Sequence, residues 1–144
     1  MRLLPPSTNN ANTGARSSVW YLFLTGLLTL LPGLIHSFLP DGGSQVIAHL
    51  DVGDRGDLVV SVFRWEGATQ LAYGAIILMA AMRYQTLTPF LLLAGVFERG
   101  LMAVEGWIFT PPASGHHPPE HYASVVFAPL ALVFLILSLR NRKA

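Results

Sequence analysis

Residues 19–39 contain no Asp, Glu, Lys or Arg, and a helix of roughly 21 residues rising 1.5 Å per residue matches a hydrocarbon core of about 30 Å. Three further apolar runs follow, at 58–82, 87–109 and 122–139. Four segments of that length cannot all be buried in one small water-soluble core. Composition points the same way. Hydrophobic residues make up 52% of the 144 residues and charged residues only 12%, against about 25% charged in ordinary soluble domains, and mean hydropathy is +0.49. The expected fold class is therefore all-α, an integral membrane four-helix bundle with spans at about 19–39, 58–82, 87–109 and 122–139.

The domain organisation rests on the same runs. Residues 1–18 are rich in Pro, Ser, Thr, Asn and Gly with no periodic apolar face, which predicts a flexible tail. Residues 19–139 form a single transmembrane domain, and 140–144 a short basic tail. Arg2 and Arg16 before an apolar run also fit a secretory signal. The run exceeds the usual h-region, however, and the following HSFLPDGG lacks a small-x-small cleavage site, so the segment is expected to remain as an anchor. Asp41-Gly42-Gly43 ends the first span, after which Ser44 is placed to cap a short surface turn. Asp57 is placed to cap the second span, Pro89 falls in the first turn of the third, and Pro129 is expected to bend the fourth.

An even number of spans puts both termini on one face, with the short link from Arg83 to Thr86. That face gathers Arg2, Arg16, Arg83, Arg140, Arg142 and Lys143 with no acid, whereas Asp41, Asp51, Asp54, Asp57 and Glu120 fall opposite, with Arg55. By the positive-inside rule the basic face is cytoplasmic, giving a multi-pass protein of the cell inner membrane. A net charge of +1 gives no reason to expect nucleic acid as a partner. The bilayer itself, a larger membrane complex or a second copy are the partners to expect.

Ionisable groups inside a span cost about 2.5–3.5 kcal/mol at the centre on translocon scales and usually face the bundle. If spans two and three form a tight antiparallel hairpin, residue numbers summing to about 170 lie at equal depth, so Arg64 is level with Glu105, and Gln70 and Tyr73 lie near Glu98 and Arg99. Glu66, Gln70 and Tyr73 share one helix face, as do Glu98, Met102 and Glu105. Two readings of this polar set stay open. It is a buried structural network that fixes register, or a site where Glu66, Glu98 or Glu105 handles a proton or polar ligand in an outward cavity. Gly67, Gly74, Gly95 and Gly100 permit close helix approach.

Three of the five histidines stand in GHHPPEH. His116, His117 and His121, with His36 and the carboxylates toward the same side, make a candidate divalent-metal set. Pro118 and Pro119 exclude the helical spacing that makes HExxH specific, so a solvated or interfacial His-Pro loop is the other reading. With no cysteine, disulfides, thiol redox chemistry and iron–sulfur ligation are excluded. No cofactor is predicted. Nucleophile-elbow, phosphate-loop, zincin and dinucleotide motifs do not occur.

The stretch 63–107, FRWEGATQLAYGAIILMAAMRYQTLTPFLLLAGVFERGLMAVEGW, resembles small four-span bacterial membrane proteins of the DoxX type. The matching features are an Arg followed by a Gly at the top of span two, a Gly mid-span, and an Arg-Tyr turn before a Pro-led third span. The resemblance covers about a third of the chain. It implies an inner-membrane four-helix bundle and assigns no activity to any residue. The functional expectation is a noncatalytic polytopic protein, either an accessory subunit or a binder of a small ligand at the outward polar cluster. The alternatives are an intramembrane enzyme or ion-coupled carrier using the buried Glu residues, or an outward-side metal binder.

Overall fold

The structure, a computed structural model, describes residues 3–113 and 115–141. Among these there is no strand. Four long helices carry the fold: α1 (Arg16–Phe38), α2 (Gly56–Arg83), α3 (Thr88–Val104) and α4 (Pro119–Leu139). A π-helical turn, Glu105–Phe109, prolongs α3, and a 3-10 turn, Gln85–Leu87, joins α2 to α3. Three helical stretches are long and apolar enough to cross a membrane: Arg16–Phe38, Gln85–Phe109 and Pro119–Leu139. In α2 the polar Arg64, Glu66, Thr69 and Gln70 dilute an otherwise apolar helix.

The surface explains where the apolar residues go. Large side chains point outward on every helix, among them Trp20, Leu31, Ile76, Phe90, Phe97 and Ile108. The buried core is narrow, with Leu22, Ile77, Leu92, Ala80, Ala81 and Ala131 at its centre. A soluble protein of this size would not leave such a surface to water. A helical membrane protein would, because lipid solvates it.

Helix pairing is set by glycine. Gly26 and Gly33 on α1 face Gly67 and Gly74 on α2, each pair spaced by seven residues. A Cβ on Gly67 would lie 2.8 Å from the Ser37 backbone nitrogen and 2.9 Å from His36 Cβ; one on Gly74 would lie 3.1 Å from the Leu30 nitrogen. The two backbones therefore touch over two turns, and α1–α2 is the most extensive helix contact. The second is α3–α4, and α1 joins the two pairs through α4. Ser18 Oγ donates to the Phe134 carbonyl (2.8 Å), Tyr21 OH to the Phe127 carbonyl (3.2 Å), and the Tyr21 and Phe134 rings stack at 4.3 Å.

This arrangement departs from the expected hairpin. Although α2 and α3 are consecutive, they make few direct contacts, so equal-depth arithmetic across their turn does not pair side chains. Arg64 donates to the Pro40 carbonyl at 3.4 Å. The ion pairs among the described residues are His36–Glu120 and Arg99–Glu98, and neither includes Arg64 or Glu105. The glycine seam commits one face of α2 to α1 and leaves its polar face opposite α3 across a gap.

The N-terminal stretch also has definite contacts. Ser7 Oγ and the Thr8 N–H donate to the Arg83 carbonyl, and Asn9 Nδ2 donates to the Met82 carbonyl at 2.8 Å. These carbonyls belong to the last turn of α2, where no helical N–H remains to satisfy them. Thr13 Oγ1 meets Asn141 Oδ1 at 3.0 Å, so this stretch and the end of α4 sit together. Helix α1 starts at Arg16, and α4 at Pro119, three residues before the apolar run, because Pro suits the first helical position. Arg2, Arg142 and Lys143 lie outside the described residues.

Gly67→Ala is expected to lower stability by about 1–3 kcal/mol, since the added methyl meets backbone that cannot rotate away. At Gly100 an added Cβ meets nothing within 4 Å, so Gly100→Ala is expected to be neutral or slightly stabilising. Thermal unfolding of both variants in lipid nanodiscs checks the contrast; equal effects would mean that the glycine seam does not set helix pairing.

Candidate functional site

The gap between the helix pairs is a cavity of about 300 Å³ lined by all four helices. Its walls change character along the helices. Leu22, Ile77, Leu91, Leu92 and Ala131 line the end nearer Arg83, whereas His36, Glu66, Gln70, Tyr73, Glu98, Arg99, Met102 and Glu120 gather toward the other. Of the residues singled out from sequence, Glu66, Gln70, Tyr73, Glu98 and Arg99 therefore converge on one space. Arg64 and Glu105 do not line it, and both are exposed.

The polar groups are incompletely matched. Arg99 NH2 is 4.0 Å from Glu98 Oε1 and its NH1 3.9 Å from Met102 Sδ. Gln70 Nε2 donates to Glu66 Oε1 at 3.1 Å, one helical turn apart. Gln70 Oε1 is buried without a hydrogen-bond partner, an omission that costs about 1–3 kcal/mol. Three carboxylates, Glu66, Glu98 and Glu120, thus share the cavity with one guanidinium and one imidazole.

Sequence reasoning missed the His36–Glu120 pair. His36 Nδ1 lies 2.7 Å from the Gly42 carbonyl, which can only accept, so Nδ1 carries a proton. Nε2 faces Glu120 Oε1 at 3.5 Å. The pair ties α1 to α4 and to the turn at 41–48. Glu120 opens a helix instead of lying in a loop. Pro-Pro followed by a Glu is the local sign of it, because Pro suits the first helical position and acids the first turn.

The turn at 41–48 closes the polar end, with Ile47 in the cavity wall. Asp41, rather than Ser44, organises it: Oδ1 accepts from the Gly43 N–H (2.9 Å), and Oδ2 from Gln45 (3.0 Å) and Val46 (2.8 Å). Ser44 Oγ instead donates to the Asp41 carbonyl. Gly42 and Gly43 have φ of +62° and +81°, a region other residues enter only with strain. Asp57 likewise lies inside the first turn of α2 rather than capping it.

The histidine loop divides. His117 Nδ1 and His121 Nδ1 are 2.9 Å apart, and the His117 ring stacks on Trp107 at 3.9 Å. Trp107 Nε1 donates to the His121 carbonyl, and Gly106 packs against the His121 imidazole. His116 lies instead beside His49, with ring centroids 6.4 Å apart. Among the described residues no group of three or more His, Cys, Asp or Glu side chains is arranged to hold a metal ion. The two joined imidazoles latch the end of α3 to the start of α4.

No protein-family model matches this chain, and neither a curated protein nor a solved structure matches it. The resemblance of 63–107 to DoxX-type proteins accordingly carries no argument about any residue here.

The Asp41 carboxyl is held below the usual aspartate range by the backbone N–H groups of Val46 and Gly43, which favour its charged form. A folded-state pKa below the unfolded value means the turn keeps its full support above about pH 3.9, the unfolded value, and loses it as pH falls through the folded one. Amide exchange at Gly43, Gln45 and Val46 is expected to show protection that is constant from neutral pH down to that range and then collapses. In Asp41→Ala the same amides are expected to be unprotected at every pH.

Proposed function

We propose that this chain is a small multi-pass protein of a bacterial inner membrane that holds a small amphiphilic ligand between its helices and performs no chemistry on it. The observation that carries the reading is the cavity of about 300 Å³, at the lower end of the usual range for small-molecule sites, with apolar walls at one end and converging polar side chains at the other. A ligand with a polar head and an apolar body matches that gradient. Toward the Arg83 end, Leu22, Ile77 and Leu92 form the cavity wall and belong to one buried cluster with Ala80 and Ala81.

In this reading all four helices cross the bilayer. At 28 residues α2 is about 42 Å long, and its close packing along α1 supports a crossing beside it. Both termini then face the cytoplasm. Arg16, Arg83 and Arg140 at the end joined by the N-terminal stretch support that orientation through the positive-inside rule, and Asp41, Asp51, Asp54 and Asp57 belong to the other side.

Two measurements test the proposal. The chain has no cysteine, so single cysteines report sidedness directly. Asp54→Cys and Ala113→Cys are expected to react with an impermeant maleimide in intact spheroplasts, and Gln85→Cys only after lysis; labelling of Gln85→Cys from outside overturns the topology. For the cavity, n-decanol at about 100 times its Kd is expected to stabilise the protein by about 2.7 kcal/mol in phosphatidylcholine nanodiscs. Gly95 lines the cavity with nothing within 4 Å of an added Cβ, so Gly95→Leu is expected to fold and to lose that stabilisation. A Gly95→Leu protein that responds as the parent does contradicts the cavity reading.

A further inference from the structure

The chemistry of the polar end specifies the head group. Of its charged side chains, Glu120 is opposed by His36 and Glu98 by Arg99. Among the described residues Glu66, which is exposed, forms no ion pair and accepts from the neutral Gln70 amide, and Gln70 Oε1 beside it is a buried acceptor with no donor. The unmatched features are thus one negative charge and one carbonyl oxygen, four residues apart on a single face of α2. Both accept hydrogen bonds and neither donates. A head that satisfies them carries positive charge and N–H groups together.

Resting on the ligand-binding reading above, we propose that the cavity takes a single-chain amphiphile with a primary ammonium head, which donates hydrogen bonds to Glu66 and Gln70 while its chain lies toward Ile77 and Leu92. An ammonium offers three donors, one for each acceptor and one to spare. A sulfate or carboxylate head offers none and repels Glu66; a trimethylammonium head offers charge without donors. Size selects the single chain. At the roughly 30 Å³ that a water occupies in the liquid, about 300 Å³ matches on the order of ten non-hydrogen atoms, the size of one short chain with its head.

The experiment compares decylammonium, decyltrimethylammonium and decyl sulfate on the 144-residue chain in phosphatidylcholine nanodiscs, with Kd read from ligand-dependent unfolding temperature. Decylammonium is expected to bind about tenfold or more tighter than decyl sulfate, with decyltrimethylammonium between them. Glu66→Gln is expected to bring the first and last within about threefold of each other. Equal affinity of the parent protein for all three probes overturns the head-group assignment, and does so without touching the cavity reading, which fails separately if n-decanol does not stabilise. Should Glu66→Gln not fold, the three-probe comparison on the parent protein decides alone. Repeating it with phosphatidylethanolamine in the bilayer separates the two sources of a primary ammonium: unchanged decylammonium affinity supports a single-chain ligand, and competition by the lipid overturns it.

Discussion

The backbone contact between α1 and α2 governs how the other helices can be arranged. Gly26, Gly33, Gly67 and Gly74 bring two helices so close that a methyl at Gly67 would collide with the Ser37 nitrogen. In a bilayer, where lipid tails are as apolar as leucine, such close packing is one of the main forces that hold helices together. Once α2 is fixed against α1, the neighbouring polar face of α2 borders the cavity, and α2 makes few direct contacts with α3. The polar residues on that face need somewhere to be solvated, and the gap provides it.

The site is thus a product of helix pairing rather than of any one motif. Glu66, Gln70 and Tyr73 come from α2, Glu98 and Arg99 from α3, His36 from α1 and Glu120 from α4. The His36–Glu120 pair and the Asp41-centred turn close one end; Leu22, Ile77 and Leu92 close the other. Charges that would be costly in lipid lie instead beside a space that ligand or water can fill. The mismatch among them lies at Glu66, whose hydrogen-bond donor is the neutral Gln70 amide, and at Gln70 Oε1, which has no donor.

Helix positions are legible in the amino-acid sequence. Apolar runs, two of them carrying a few charged residues, mark the helices to within a few residues. Periodicity also places Glu66, Gln70 and Tyr73 on one face. Register is not legible. Matching Arg64 to Glu105 assumes that consecutive helices pack, whereas four glycines give α2 a better neighbour, and the spacing of seven between them is the sign of it. Only two of the four glycines expected at helix contacts serve there; Gly95 and Gly100 face open space. His36 and Glu120 escape sequence reasoning because they lie 84 positions apart (120 − 36), and no local pattern joins residues so distant. The N-terminal stretch lacks apolar periodicity, so its role of satisfying the last carbonyls of α2 cannot be read from composition.

The central claim is that α2 and α3 stand apart across the cavity while α1 and α4 meet at its polar end. Because the chain has no cysteine, pairs of introduced cysteines test this directly in native membranes with a short bifunctional thiol reagent. Rapid cross-linking is predicted for His36→Cys with Glu120→Cys, and little for Arg64→Cys with Glu105→Cys. The reverse outcome, efficient linkage of 64 with 105 and none of 36 with 120, would restore the simple α2–α3 hairpin and contradict the cavity.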